Sequence, residues 1–80
     1  MKIGFTFTKG TVKYTVLAIT EKGDENVALL LRENKYDPYV TVWNLCEDGN
    51  GSCSWYYGHY ISIFNRAVAD YNKRRKQLLG

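Results

Sequence analysis

Two aromatic-rich strand patterns on either side of one glycine-rich turn constrain the fold of this 80-residue chain more than any other feature. The turn is Asp48-Gly49-Asn50-Gly51, and six of the twelve aromatic residues lie around it, between Tyr39 and Tyr60. A two-residue turn of Gly and Asn fixes which side chains of a hairpin share a face. Rings fall on both faces, whereas a single-layer sheet of this size is expected to bury only one. We therefore expect surplus apolar surface, which usually marks a binding site.

Alternation along this hairpin predicts two sets of side chains. A central pair Gly49-Asn50 would align Cys46 with Cys53, a central pair Asn50-Gly51 would align Cys46 with Trp55, and both give the same sets. The set rich in β-branched residues and cysteine is assigned to the core beneath a helix. It comprises Val40, Val42, Asn44, Cys46, Cys53, Trp55, Tyr57, His59 and Ile61. The other set supplies a predicted exposed aromatic face of Tyr39, Trp43, Tyr56 and Tyr60, unless these rings pack on one another and on nearby loops.

Hydrophobic periodicity predicts the remaining elements. Alternating residues favour strands at residues 3–8 and 11–20, and the apolar run 27–31 favours a central strand over the start of a short helix. Ser62 is a good helix N-cap before an apolar stripe, which contains Phe64, Ala67, Val68, Tyr71 and Leu78. The prediction is a single α+β domain over residues 1–80, an antiparallel meander of about five strands within residues 3–61 with a helix at about 62–78 packed on one face.

The net charge of +3 is concentrated at the C-terminal end. From residue 66 onward five cations and one carboxylate sum to +4, so residues 1–65 sum to −1. The five cations are Arg66, Lys73, Arg74, Arg75 and Lys76. A basic end on a near-neutral body suits contact with phosphate or with an acidic protein surface. The alternative interpretation is a solvated helix end.

No pattern typical of a catalytic, metal or cofactor site is present. Cys46, Cys53 and His59 share one predicted face, but no fourth ligand accompanies them and their spacing matches no paired-cysteine zinc motif. We expect two reduced thiols rather than a disulfide. No apolar run is long enough to span a bilayer, and no secretion signal is evident at the N-terminus. The sequence therefore predicts a cytoplasmic, non-enzymatic protein without cofactor, metal or membrane contact.

Three motifs spread over most of the chain form a recognisable pattern. They are Gly4 with Phe5-Thr6, Tyr39-Val40-Thr41-Val42-Trp43, and Trp55-Tyr56-Tyr57-Gly58-His59-Tyr60 leading to Ala67, Asp70, Tyr71 and Arg74. On these motifs the chain resembles small accessory proteins encoded by phages and mobile elements of Gram-positive bacteria, with an extra Val42 before the Trp as a departure. The resemblance implies a role in host interaction or element maintenance, including inhibition of host defence. It carries over no catalytic residue.

Three hypotheses about function follow. The first is a binding module that holds nucleic acid, or a protein that handles it, through Tyr39, Trp43, Tyr56 and Tyr60 together with the basic helix end. The second is an anti-defence inhibitor, for example of the anti-CRISPR type, that blocks a host effector nuclease through aromatic hot spots. The third is a homo-oligomer that buries its own aromatic sheet face.

Overall fold

Five antiparallel strands in sequence order and one C-terminal helix form the structure, which confirms the predicted α+β meander. The structure is a computed structural model that describes all residues, 1–80. The elements are β1 (Thr6–Lys9), β2 (Val12–Lys22), β3 (Glu25–Arg32), β4 (Tyr39–Glu47), β5 (Cys53–Ile61) and α1 (Phe64–Leu79). The run 27–31 belongs to β3, so it is a strand and not the start of a helix.

The sheet curls until its two edge strands approach each other. Lys9 on β1 donates from Nζ to the carbonyl oxygen of Cys53 on β5 at 3.1 Å. The ring of Phe7 stacks on Tyr14 at 5.1 Å between centroids, and the indole of Trp55 meets Tyr14 edge-on at 5.3 Å. The curl encloses an inner core of Phe7, Tyr14, Val16, Ala28, Leu30, Val40, Val42, Leu45 and Cys53. One sheet face is therefore buried by the sheet itself.

The helix covers the opposite face of the same sheet. Three buried apolar residues of α1 pack against two residues of β3. Together they form a second core cluster, called here the helix layer, which comprises Val27, Leu29, Ala67, Tyr71 and Leu78. The hydroxyl groups of Tyr71 and Thr20 lie 2.7 Å apart and tie α1 to β2. Both faces are thus buried, so the expectation that only one could be is wrong.

The hairpin faces differ from the prediction because the turn has three residues, so both predicted two-residue registers are wrong, and because the ladder is interrupted. The turn is a three-residue loop, in which the amide of Asp48 donates to the carbonyl oxygen of Ser52 at 3.0 Å and Cys46 pairs with Ser54. Register shifts follow on both sides of Trp43, at positions where Asn44 and Tyr57 each have φ of 53°. A bulge of this kind adds one residue to a strand and so changes which side chains share a face.

The interruptions divide the predicted core set between two layers. Val40, Val42, Cys53 and Trp55 do share a side, but it is the inner core and not the layer under the helix. The residues paired with Tyr39 and Thr41 are Ile61 and His59, which therefore face the helix with them. Asn44 meets a partner in β3, since its Oδ1 accepts from the amide of Asn26 at 3.1 Å.

The helix begins two residues later than predicted. Its N-cap is Ile63, which makes no side-chain capping hydrogen bond, so the prediction of Ser62 as the cap is wrong. The amides of Arg66 and Ala67 both bond to the carbonyl oxygen of Ile63. The first turn is instead held by packing, because the ring of Phe64 lies 5.3 Å from that of Tyr39.

Burial on both faces predicts that two adjacent leucines, Leu29 in the helix layer and Leu30 in the inner core, contribute equally to the free energy of unfolding. Leu29→Ala and Leu30→Ala should each reduce the free energy of unfolding by about 2–4 kcal/mol, because Leu29 is 4% and Leu30 is 0% exposed. Leu31→Ala, at 37% exposure, is the matched control and should cost less than about 1 kcal/mol. Urea denaturation measures all three. A near-neutral effect at either Leu29 or Leu30 would contradict the two-layer description.

Candidate functional site

An open groove of about 280 Å³ runs between β5 and α1. It is lined by Trp43, Tyr57, His59, Asp70, Lys73, Arg74 and Gln77, and is called here the β5–α1 groove. The structure has two further depressions, of about 240 and 340 Å³. Neither is lined by a lysine or arginine, and both include the carboxylate of Glu47. The β5–α1 groove is thus the one depression that combines rings with cations.

Helical spacing brings four polar side chains to one wall of the groove. Asp70, Lys73, Arg74 and Gln77 are spaced i, i+3, i+4 and i+7, which places them on one side of α1. The other wall is β5, from which Tyr57 and His59 line the groove. The register shift between Thr41 and Trp43 lies opposite this part of the strand. The strand therefore presents a ring and an imidazole to the polar side of the helix.

Asp70 is the acceptor at the centre of this wall. Its Oδ2 accepts a hydrogen bond from Thr41 Oγ1 and another from His59 Nδ1, the latter at 2.9 Å. Burial alone would raise the pKa of the Asp70 carboxyl, but these two hydrogen bonds, with the positive charge of Arg74, hold it below its ordinary value. Asp70 therefore remains a carboxylate and fixes the imidazole.

Arg74 lies beneath the groove and is only 5% exposed. Its Nη1 donates to the carbonyl oxygen of Thr41 at 3.3 Å, Nη2 to His59 Nε2 at 2.6 Å, and Nε lies 3.6 Å from Asp70 Oδ2. Burial lowers the pKa of the guanidinium and the Asp70 carboxylate opposes that shift. A guanidinium stays protonated in proteins, so the groove floor carries a paired but desolvated positive charge.

These contacts assign the protonation of His59. Arginine has only donors, so His59 Nε2 must accept from Arg74 and the ring proton must lie on Nδ1, directed at Asp70. A general base needs a free imidazole nitrogen within reach of a substrate proton. In this structure Arg74 occupies that nitrogen, so the role of His59 is to hold Asp70 and Arg74 in place.

Tyr57 is the most exposed ring in the chain, at 78%. Its φ of 53° is uncommon for a residue with a Cβ and is more often adopted by Gly, Asn or Asp. The ring of Tyr56, which is 64% exposed, lies 6.3 Å away at an interplanar angle of 44°. Two adjacent tyrosines therefore project from β5 at one end of the groove.

The predicted exposed aromatic face is wrong as a single surface. Tyr39 and Trp43 are half-buried and pack against the helix layer. Tyr56 pairs with Trp43 and so lies on the helix side of the sheet, where α1 does not cover it. Tyr60 is 49% exposed but pairs with Val40, on the inner side, where the guanidinium of Arg32 lies 4.7 Å from its ring centroid.

The predicted basic residues also separate into two groups. Arg66, Lys73, Arg75 and Lys76 are exposed, and only Lys73 among them lines the groove. Arg74 is buried among protein acceptors, so the prediction that it belongs to an exposed basic patch is wrong. The charges of Asp70 and Arg74 offset each other, so the net charge of +4 from residue 66 onward belongs to the four exposed cations.

Sequence reasoning missed four groove residues, which are Tyr57, His59, Asp70 and Gln77. The spacing of Asp70, Lys73 and Gln77 could have indicated a shared stripe, although it does not say that β5 lies opposite. Tyr57 was assigned to the core by strict alternation, and no residue pattern marks the bulge that turns it outward.

The cysteines and the histidine do not converge. Cys46 is exposed, Cys53 is buried in the inner core, and both are free thiols, whereas His59 faces the helix. Burial, with the Glu47 and Asp48 carboxylates, raises the pKa of the Cys53 thiol to about 11. No three His, Cys, Asp or Glu side chains are placed to hold a metal ion.

Comparisons with protein-family models, with curated proteins and with solved structures found no match for this chain. The single helix of the structure is not both long and apolar enough to cross a membrane.

Two consecutive arginines allow a test of the groove floor. Arg74→Gln should lower the free energy of unfolding by about 2–3 kcal/mol, because it removes the hydrogen bonds to Thr41 and His59 and the positive charge beside the Asp70 carboxylate. Arg75→Gln removes the same charge from an exposed position and should change it by less than about 0.5 kcal/mol. Chemical denaturation gives both values. Equal effects would show that Arg74 contributes only general charge.

The lowered pKa of Asp70 predicts a loss of stability in acid. A carboxyl whose pKa is lower in the folded than in the unfolded state stabilises the fold above its ordinary value, 3.8, and this contribution disappears as pH falls through the folded value. The stability difference between the wild type and Asp70→Asn should therefore be constant above about pH 5 and shrink below about pH 4.

Denaturation curves at a series of pH values measure this difference. Asp24→Asn, in the exposed turn after β2, is the control and should leave the acid slope of the wild type unchanged. A difference that stays constant down to about pH 2 would mean that the hydrogen bonds to Asp70 do not favour its charged form.

Proposed function

We propose that this chain is a small non-enzymatic binding module that holds single-stranded nucleic acid along the β5–α1 groove. The observation that carries the proposal is an exposed, conformationally unfavourable tyrosine, Tyr57, beside a groove with Lys73 on its rim.

The rings supply a surface for stacking. Tyr56 and Tyr57 are both exposed and their centroids lie 6.3 Å apart, so two successive unpaired bases could each find a ring. Base–aromatic stacking contributes about 1–3 kcal/mol per base and tolerates any sequence. The surface therefore suits single strands, whose bases are free to stack, better than duplexes.

The charges supply attraction for a phosphate backbone. The segment from residue 66 onward carries +4 against −1 for the remainder, and its unpaired cations are all exposed. Arg66, Lys73 and Gln77 are spaced i, i+7 and i+11, which places them on the side of α1 that borders the groove. A strand lying along the groove would pass from the two tyrosines to these side chains.

The backbone at Tyr57 supports a role beyond folding. Glycine or asparagine would adopt a φ of 53° at lower cost than tyrosine, and a small polar residue would leave less apolar surface in water. Residues held in sparsely populated conformations cluster at functional sites. An exposed ring at such a position is explained by a ligand more simply than by stability.

Salt-dependent binding of an oligonucleotide tests the proposal. A fluorescent single strand of about ten nucleotides should bind at about 50 mM salt, and the affinity should fall with a log–log slope of about −2, as for three neutralised phosphates on a single strand. Fluorescence anisotropy measures both quantities. No binding at low salt would overturn the proposal.

A matched pair of tyrosines identifies the surface. Tyr57→Ser should weaken binding by at least about fivefold, the equivalent of about 1 kcal/mol of stacking. Tyr36→Ser is the control, because Tyr36 is 72% exposed but lies in the loop before β4 and outside the groove. Thermal unfolding of both variants verifies that the fold is kept. Equal losses would place the strand elsewhere on the protein.

The inhibitor hypothesis is supported by the same rings, since exposed tyrosines are also typical hot spots of protein interfaces. In addition, β5 is the last strand of the sheet and has an edge without a hydrogen-bonded neighbour strand. An isolated host nuclease that binds the wild type but not Tyr57→Ser, in the absence of oligonucleotide binding, would favour this second function.

A further inference from the structure

We infer that the β5–α1 groove contains a subsite for one nucleotide, with its phosphate held by Lys73, Gln77 and Arg74 and its base against Tyr57 and Trp43. The choice of ligand rests on the proposed function, but the subsite adds a definite place and an anchor. It also gives the buried Arg74 a role in ligand binding in addition to its contacts with the protein.

Arg74 has donors left over for a ligand. A guanidinium carries five N–H groups in a planar fork. The protein uses one hydrogen on Nη1, for the carbonyl oxygen of Thr41, and one on Nη2, for His59 Nε2. The second hydrogens of Nη1 and Nη2 have no protein acceptor, although the side chain lines the groove. Such donors match phosphate oxygens, and charge-assisted hydrogen bonds are stronger than those between neutral groups.

The charge balance of the lining favours an anion. Lys73 and Arg74 contribute +2 and Asp70 contributes −1, so the lining sums to +1 with the imidazole neutral. The Asp70 oxygen nearest Arg74, Oδ2, already accepts from Thr41 and His59. Lys73 and Gln77 are exposed at the rim and can reach an oxygen that Arg74 binds from below. The other two depressions, with Glu47, would repel the same group.

The dimensions and rings favour a nucleotide over a larger ligand. The volume of about 280 Å³ lies just below the roughly 300 Å³ at which pockets for drug-sized molecules begin. Trp43 and Tyr57, which line the groove, provide apolar faces for a single base. Because the groove is open, the chain could continue past the occupied site toward Tyr56.

The two tryptophans allow a test with an internal control. Trp43 lines the groove, whereas Trp55 packs on the inner core behind the sheet. In a ¹⁵N-edited NMR titration, thymidine 5′-monophosphate should shift the indole signal of Trp43 and leave that of Trp55 in place. Thymidine, which lacks the phosphate, should bind at least about tenfold more weakly. Shifts at both indoles or at neither, or equal affinities for the two probes, would overturn the subsite.

A pair of lysines on the same helix separates the subsite from general attraction. Lys73→Gln should weaken binding of the monophosphate about five- to tenfold, whereas Lys76→Gln, which removes the same charge outside the groove, should change it less than about twofold. On an oligonucleotide of about ten residues both variants should reduce the salt slope, because both cations release counterions. Equal effects on the monophosphate would count against the subsite.

The two proposals fail in different ways. Oligonucleotide binding with an unmoved Trp43 indole signal and equal lysine variants would overturn the subsite and keep the proposed function. Monophosphate binding that depends on Lys73, without oligonucleotide binding at low salt, would keep the subsite and overturn the proposed function. In each case a Trp55 indole signal at its wild-type position verifies that the variants keep the fold.

Discussion

Closure of the sheet on itself by three rings is the interaction on which the rest of this structure depends. Phe7, Tyr14 and Trp55 come from the first, second and last strands, and their centroids lie 5.1 to 6.1 Å apart. Aromatic pairs at such separations add about 0.5–1.5 kcal/mol each to the burial of their area. Without this contact a five-strand meander would stay open, and its second face would need another layer. With it, a chain of only 80 residues buries both faces.

Because the curl buries one face, the helix can cover the other with both apolar and polar contacts. Ala67, Tyr71 and Leu78 pack on β3, while Arg74 meets Thr41 and His59. Thr41 is fully buried, and its hydroxyl would be left unsatisfied without Asp70. Apolar packing alone leaves a helix free to slide along a sheet, whereas directional hydrogen bonds fix its position. The polar wall of the groove is therefore also what sets the distance between α1 and β5.

The sequence predicted the order and type of every element, because periodicity and turn residues act locally. It did not predict the two covered faces, although the unbroken apolar run at residues 27–31 is typical of a strand buried on both sides. It also failed on the hairpin faces, because the turn has three residues and not two, and because alternation holds only along an uninterrupted ladder and this hairpin is interrupted twice. Asn44 carries a weak signal for its positive φ, since asparagine tolerates that region, but Tyr57 carries none. The partners of Arg74 depend on which strand lies beside the helix, which no local pattern specifies.

The bulge at Tyr57 connects the fold to the candidate site. The fold concerns the backbone conformation at this position, and the candidate site concerns the identity of its side chain. A Cβ at Gly58 would lie 3.0 Å from the indole nitrogen of Trp55 and 3.3 Å from the Tyr60 hydroxyl, so a glycine lets the strand approach the ring that closes the sheet without displacing either side chain. The bulge beside this glycine turns position 57 outward with a φ of 53°, which accounts for a projecting residue there. It does not account for the side chain, since a smaller residue would satisfy the same geometry at lower cost. The bulge therefore explains why a residue projects at the mouth of the groove, and the ligand proposed above would explain why that residue is a tyrosine.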